Sequence, residues 1–209
     1  MRLARALLIS LFFVLAVACY GFAQSSDELL IDDFEGPISS GPDGTVDCGA
    51  GSPSSVSVEA AKDIKYHGEQ SLKINFDAQS GGYIWVSRGY GLDVKGAEAW
   101  LVAPKDIDFG KFNAVSFWVY GTNTNTPVAL DLVDSGFEYW RYMFTDDFNG
   151  WKEFLVPFSD FFPRGDWQPE KSDKNGELNM PINIFQFEPR PVGKGSIYID
   201  YVRLVNKKG

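Results

Sequence analysis

The stretch Gly195–Leu204 (GSIYIDYVRL) decides the fold class, because β-branched and aromatic residues alternate in it behind a glycine. Such alternation is typical of a β-strand. The middle of the stretch carries a carboxylate, Asp200, between Ile199 and Tyr201. An acid inside an apolar strand costs free energy to bury unless something compensates its charge. A bound cation is one natural compensator, so the strand itself suggests a cation site.

A second acidic segment, Asp32-Asp33-Phe34-Glu35, lies near the other end of the chain. If the two terminal segments meet in space, these acids form a site for a hard cation, which takes oxygen ligands. Glu35 and Asp200 are then the favoured ligands of a structural Ca²⁺. Alternatively, the N-terminal acids form a solvated segment and Asp200 caps an edge strand.

Short strand-like runs recur between these two segments, separated by glycine, asparagine, aspartate and proline. The predicted strands are 71–76, 82–88, 97–103, 114–120, 127–133, 138–145, 152–157, 183–187 and 196–205. Strands at this spacing predict an all-β fold, an antiparallel β-sandwich or jelly roll. The stretches 37–55 and 163–181 are predicted loops, and loops of this length tend to be functional or mobile.

The N-terminus has the features of a secretory signal peptide, with a basic start, an apolar run over 6–17 and small residues at cleavage positions. We expect the signal to span 1–24 and a single domain to span 25–209. The apolar run is too short to span a membrane comfortably. The expected location is secreted, periplasmic or at the cell surface, with lipidation at Cys19 as the alternative fate of the signal.

Composition restricts the function further. The net charge of −9 argues against nucleic acid or an anionic membrane as the partner. Cys48 is the one cysteine left after the signal, so no disulfide forms within the domain. Nucleophilic catalysis would rest on a single histidine, His67. A carboxylate pair such as Asp131 and Glu138 leaves glycosidic hydrolysis as an alternative, but the sequence favours a protein that is not an enzyme.

Strand alternation separates a core face from a second face that carries large amphipathic rings. In 114–120, for example, Phe117 points toward the core while Trp118 and Tyr120 point away. The same parity argument collects Tyr83, Trp85, Trp118, Tyr120, Asp131, Tyr139, Arg141, Gln186 and Glu188. A sugar ring packs its apolar C–H face on an aromatic ring, and its hydroxyls need donors and acceptors. The set therefore predicts a carbohydrate-binding face, unless the rings form a second core layer of the sandwich.

Motifs in a fixed order add a family resemblance. They are 33–36 (DFEG), 67–73 (HGEQSLK), 115–121 (VSFWVYG), 150–161 (GWKEFLVPFSDF) and 197–204 (IYIDYVRL). Together they resemble the carbohydrate-binding jelly rolls of the galactose-binding-like superfamily, especially the family 11 glucan-binding modules and the related complex-I-assembly-type domain. The resemblance covers about residues 30–206 and is more specific for the fold than for the ligand.

The resemblance implies a β-sandwich whose concave face binds a β-glucan chain, and a structural calcium that joins the terminal strands. The calcium ligands of the family map onto Asp33, Glu35, the segment from Ser71 to Lys73, and Asp200. We therefore expect a non-catalytic protein that binds a polysaccharide, most simply a β-glucan. The alternative is an extracytoplasmic protein-interaction or assembly module, in which the same aromatic patch meets an envelope protein.

Overall fold

The computed structural model describes residues 27–208, which form two antiparallel β-sheets packed face to face. The strands are β1 (Glu28–Asp32), β2 (Asp47–Gly51), β3 (Ser55–Ala61), β4 (Ser71–Ala78), β5 (Tyr83–Gly89), β6 (Ala114–Thr122), β7 (Pro127–Val133), β8 (Tyr139–Thr145), β9 (Asn149–Pro157), β10 (Phe162–Pro163), β11 (Ile184–Pro189) and β12 (Gly193–Val205). Single 3₁₀ turns lie at Lys95–Ala97, Pro104–Asp106, Phe109–Lys111 and Phe158–Asp160. The predicted antiparallel β-sandwich is confirmed.

Sheet A has the order β3-β4-β12-β6-β9, with β1 also paired to β12. The long strand β12 holds this sheet together, because its first half pairs with β4 and its last residues pair with β1, while β6 lies along its other side. The register with β6 shifts between Asp200 and Arg203, where Tyr201 has a φ of 54°. The terminal segments therefore meet, as predicted, at a bulge next to Asp200.

Sheet B has the order β10-β8-β7-β11-β5-β2. The inner faces of the two sheets bury a core rich in aromatic residues, in which Phe117 stacks on Phe154 with ring centroids 5.3 Å apart. Phe117 also meets Phe187 of sheet B edge to face at 5.5 Å. Residues that strand parity assigns to the core, such as Val115 and Val119, are fully buried there.

The predicted strands correspond to β4–β9, β11 and β12, but the segment 97–103 is not a strand. It contains the end of a 3₁₀ turn, and Trp100 packs into the core with its ring stacked on Phe185 at 5.8 Å. The strands β1, β2, β3 and β10 were not predicted. Strand β2 lies inside 37–55, which was predicted to be a loop, because pairing with β5 overrides the weak strand propensity of its sequence DCGAG.

No helix in the part of the chain from 27 to 208 has the length and apolar character needed to cross a membrane. The predicted signal peptide, its boundary at residue 24 and Cys19 lie outside the described residues.

A buried ion pair joins the two sheets on one side of the core. Arg88 Nε on β5 lies 2.8 Å from Asp32 Oδ2 on β1, and both side chains are almost fully buried. The contact lies within ion-pair range but lacks hydrogen-bond geometry. Burial raises the pKa of the Asp32 carboxyl to about 7, against the opposing effect of the Arg88 charge. Each charge therefore depends on the other for compensation.

Replacing Arg88 with methionine should destabilise the domain strongly, because it leaves the buried Asp32 carboxyl without a counter-charge. Breaking such a pair costs about 3–5 kcal/mol of unfolding free energy. Urea unfolding followed by tryptophan fluorescence measures this loss. The control is Glu59→Gln, which breaks the exposed Lys73–Glu59 pair at 2.7 Å and should cost far less than the Arg88 substitution. Equal losses in the two variants would contradict this account.

Candidate functional site

The outer face of sheet B carries a row of polar side chains that crosses five strands. Antiparallel register aligns Arg141 on β8, Asp131 on β7, Gln186 on β11, Ser87 on β5 and Asp47 on β2. Directly opposed residues in a sheet point to the same face. The row lies at a cleft of about 570 Å³, lined by Asp47, Gly82, Tyr83, Ile84, Trp85, Ser87, Leu92, Tyr139, Arg164, Asp166, Trp167, Gln186, Glu188 and Arg190.

Arg141 organises the floor beneath this cleft. Its Nε and Nη2 donate to the two oxygens of Asp131, both at 2.7 Å, and Nη2 also donates to Glu188 at 2.5 Å. Burial alone would lower the pKa of Arg141, but hydrogen bonding and the charges of Asp131 and Glu188 raise it above its usual value. The guanidinium is therefore permanently charged and compensates two carboxylates that are themselves buried.

A second layer of charge comes from the loop after β10 and the end of β11. Arg164 lies 3.3 Å from Asp131 and 3.2 Å from Glu188, and its Nε donates to Asp166 at 2.7 Å. Arg190 pairs with Glu188 and donates to Asp166 at 3.2 Å. Partial burial would raise the pKa of Asp166, but Arg164 and the other arginines lower it to about 2. Asp166 therefore stays ionised and faces the open cleft as an acceptor.

Aromatic rings flank this charged floor on both sides. Tyr83 and Trp85 on β5 lie with their ring centroids 5.9 Å apart at an interplanar angle of 25°. On the other side, Tyr139 meets Trp167 edge to face at 5.4 Å. The Tyr83 and Trp167 side chains are 56% and 51% exposed, so their rings are available to a ligand.

Strand β2 leaves bare backbone beneath the Tyr83 and Trp85 rings. Gly49 opposes Trp85 and Gly51 opposes Tyr83 in the sheet. A Cβ added at either glycine would overlap the ring of its partner, so both rings lie across bare backbone. Trp85 Nε1 also donates to Asp47 Oδ1 at 2.9 Å, which fixes the orientation of the indole. The absence of side chains at Gly49 and Gly51 therefore allows the Trp85 and Tyr83 rings to take these positions.

The structure brings together most of the predicted binding residues: Tyr83, Trp85, Asp131, Tyr139, Arg141, Gln186 and Glu188 all lie on the outer face of sheet B. Trp118 and Tyr120 do not join them, because β6 belongs to sheet A and they point out from the opposite side of the sandwich. Strand parity distinguishes inward from outward residues, but it carries no information about which sheet a strand joins.

Some of the residues predicted to bind sugar hydroxyls are buried below the surface of the cleft. Asp131, Arg141, Gln186 and Glu188 were expected to bind sugar hydroxyls, but they are buried and linked to one another by hydrogen bonds. The more accessible polar groups are Asp166 and Arg190, whose side chains are 44% and 28% exposed and which were not predicted. Arg164 and Trp167 also line the cleft and were not predicted. The available signal was the long loop 163–181, which was expected to be functional, and three of these residues lie at its start.

The predicted metal ligands are only partly available. Glu35 accepts backbone N–H groups of Glu69 and Gln70 at 2.9–3.1 Å, and Asp200 Oδ2 accepts those of Tyr66 and His67 at 2.9 and 3.0 Å. Asp200 Oδ1 is buried without a hydrogen-bond partner among the described residues, which leaves one oxygen for a cation.

The other predicted ligands make different contacts. Asp33 accepts from the N–H of Glu35 at 3.1 Å, Ser71 Oγ donates to the carbonyl of Ile64 at 2.6 Å, and Lys73 pairs with Glu59. Within 27–208, no group of three or more histidine, cysteine, aspartate or glutamate side chains is arranged to hold a metal ion. A calcium here would depend on Asp200 and on backbone carbonyls, so it stays a prediction.

Solved structures with the same fold include carbohydrate-binding modules. A family 11 module from Clostridium thermocellum in complex with a β-1,3-1,4-mixed-linked tetrasaccharide has a TM-score of 0.69 and 20% identity, over 88% of this chain and 98% of that chain. A family 30 module of a cellulosomal cellulase from the same organism has a TM-score of 0.55 and 12% identity, over 87% and 99%. At these identities the likeness shows the fold alone.

Sequence comparison adds the family. Endoglucanase H of Acetivibrio thermocellus is 27% identical over 181 residues, which are 85% of this chain and 18% of that enzyme, so the chain spans under a fifth of this relative. The model of the family 11 carbohydrate-binding domain matches residues 22–207. The predicted resemblance is confirmed, and the chain belongs to family 11 of the carbohydrate-binding domains.

Proposed function

We propose that this protein binds a neutral β-glucan chain in the cleft of sheet B and does not cleave it. The observation that carries this proposal is the arrangement of rings on both sides of a fixed polar floor. The exposed Tyr83 and the half-buried Trp85 lie on one side, and the half-buried Tyr139 and the exposed Trp167 lie on the other. A glucan of mixed β-1,3 and β-1,4 linkage is the first candidate ligand, since the solved family 11 module holds a tetrasaccharide of that type.

The chemistry of the cleft suits such a chain. Aromatic rings offer apolar faces for the C–H faces of glucose units, while Asp166 accepts and Arg190 donates hydrogen bonds to hydroxyls. The surrounding acids and arginines compensate one another, so the cleft does not require a charged ligand. Because the floor is fixed by ion pairs before binding, little conformational entropy is lost when a sugar enters.

A non-catalytic role fits the state of the carboxylates. Glycosidic hydrolysis needs two acids, one of which must give or take a proton. Asp131 is engaged by Arg141, Arg164 and Gln186, and Glu188 by three arginines. Glu138, the other predicted member of a pair, is buried, accepts the N–H of Gly176 at 3.1 Å and does not line the cleft.

The proposed location follows from the ligand. A polysaccharide of this kind is met outside the cytoplasm, which agrees with the signal peptide expected over 1–24. The protein would then be secreted, periplasmic or at the cell surface. An assembly role with an envelope protein is the alternative, and it predicts a protein partner and no glucan at the cleft.

Removing a ring should weaken glucan binding without unfolding the domain. Trp85→Ala deletes a partly exposed ring that lines the cleft, so the dissociation constant for a mixed-linkage tetrasaccharide should rise about tenfold or more. Isothermal titration calorimetry measures it, with circular dichroism to confirm the fold. Leu101→Ala is the matched control, since Leu101 is 55% exposed and does not line the cleft. Unchanged affinity in Trp85→Ala would contradict this ligand position.

Adding a side chain at Gly49 should also weaken binding, because it displaces the Trp85 ring without removing it. Gly49→Ala adds one methyl group beneath the Trp85 indole and tilts the ring away from its position, while all ligand-contacting side chains remain. We expect the tetrasaccharide affinity to fall roughly threefold to tenfold. Ala50→Gly is the control, because Ala50 opposes the buried Ile84 and points away from the cleft. Wild-type affinity in Gly49→Ala would show that the bare backbone at Gly49 does not position the Trp85 ring.

A structural calcium at Asp200 is a separate proposal, supported by the buried Oδ1 that has no hydrogen-bond partner in the described chain. If the ion joins the bulge of β12 to the loop 62–70, chelation with EDTA should lower the midpoint of thermal unfolding by several degrees, and added CaCl₂ should restore it. Asp200→Asn should no longer respond to either addition. Identical midpoints of the wild-type protein in EDTA and CaCl₂ would remove Asp200 and Glu35 from the metal ligands.

A further inference from the structure

The outer face of sheet A carries a second aromatic surface, on the opposite side of the sandwich from the cleft. Its members are Tyr66, Trp118, Tyr120, Trp151, Tyr198 and Tyr201, here called the sheet A patch. Solvent-facing positions of a sandwich strand are ordinarily polar. A contiguous set of aromatic residues on such a face therefore requires a physical reason.

Strand register builds the base of the patch. Trp151 on β9, Tyr120 on β6 and Tyr198 on β12 lie directly opposite one another across three neighbouring strands. Tyr120 meets Trp151 and Tyr198 edge to face, at centroid distances of 5.5 and 5.6 Å. The rings therefore form a ladder perpendicular to the strands.

The loop 62–70 adds one more ring, Tyr66, beside this ladder. Tyr66 stacks on Trp118 with centroids 3.7 Å apart and an interplanar angle of 13°. The backbone N–H of Tyr66 donates to Asp200 Oδ2, which ties the loop to β12. One face of the Tyr66 ring is thus held against Trp118, and the side chain is still 42% exposed.

Local packing accounts for only some of these residues. Tyr198 is nearly buried, and Trp118 is covered by Tyr66, so both stabilise the loop and the sheet. Packing does not account for the exposed Tyr66 ring or for the partly exposed Trp151 ring, whose centroid lies 5.9 Å from that of Tyr66. These two rings form the accessible part of the patch.

Charge around the patch indicates the kind of partner. The charged side chains beside the patch are paired: Lys73 with Glu59 at 2.7 Å, Lys65 with Glu69 at 3.4 Å, and Arg203 with both Glu28 and Glu153. No unpaired cation is among them and the protein as a whole is acidic, so the patch does not attract an anionic partner. A neutral polymer with apolar ring faces and hydroxyls can pack on a tyrosine and a tryptophan, and this contact needs no charge on the protein.

From these observations we infer that the sheet A patch is a second glucan-binding surface, centred on Tyr66 and Trp151. This inference rests on the proposed function of the cleft. The two sheets pack about 10 Å apart and their outer faces point in opposite directions, so the two surfaces would hold different chains or distant segments of one chain. The second surface would act by raising the apparent affinity for long polymers, and it would contribute little to a short oligosaccharide held in the cleft.

The test separates the two surfaces by ligand length. Wild type, Tyr66→Ala, Trp85→Ala and the double variant are run by affinity electrophoresis in gels that contain soluble mixed-linkage β-1,3-1,4-glucan. We expect Tyr66→Ala to weaken retardation about threefold or more. Trp85→Ala should keep residual retardation that the double variant loses. Calorimetry with the tetrasaccharide should give wild-type affinity for Tyr66→Ala, because that ligand reports on the cleft alone.

Tyr66→Phe is the matched variant, since it keeps the ring on Trp118 and should retain most of the retardation. Equal retardation of wild type and Tyr66→Ala, with both folded, would overturn the second surface while leaving the cleft intact, and would favour a protein contact as the use of the patch. A wild-type protein that neither binds the tetrasaccharide nor is retarded by the glucan would overturn both the cleft and the patch.

Discussion

Arg141 donates hydrogen bonds to Asp131 and Glu188 at the middle of sheet B, where three strands meet and water is excluded. Buried carboxylates at these positions would otherwise destabilise the sheet by several kcal/mol each. One guanidinium with a fixed planar geometry compensates both, and the arginines at 164 and 190 extend the compensation to Asp166. The accessible polar groups of the cleft are thus held in place by groups that a ligand does not reach.

The same division between supporting and contacting groups applies to the aromatic side of the cleft. Tyr83 and Trp85 line the cleft, but the positions of their rings depend on Gly49 and Gly51, which leave the neighbouring strand bare beneath them. Asp47 fixes the indole by one hydrogen bond. The short edge strand β2, which has little side-chain volume, therefore sets the positions of the rings that would stack on sugar.

The two outer faces of the sandwich differ in how their aromatic rings are arranged. On sheet B the rings stand at the margins and ion pairs occupy the centre. On sheet A the rings occupy the centre, with Tyr66 stacked on Trp118, and the ion pairs lie at the margins. The first arrangement gives a cleft with defined hydrogen-bonding positions, and the second gives a flatter apolar surface with fewer polar groups.

The class of fold, the core and the outward residues of most strands could be predicted from the sequence alone, because alternation in segments such as 114–120 follows directly from the two-residue period of a strand. Sequence motifs also identified the family, although most of these motifs serve the fold. Strand β2 escaped prediction because its residues, DCGAG, have weak intrinsic strand preference and are held by pairing with β5. The sequence could not show that Trp118 and Tyr120 lie opposite the cleft, that Asp131 and Glu188 are buried in ion pairs at its floor, or that Arg164, Asp166 and Trp167 line it. The reason is that periodicity along a chain fixes which way a side chain points relative to its own strand, whereas the neighbours of that strand are set by pairings between residues far apart in sequence.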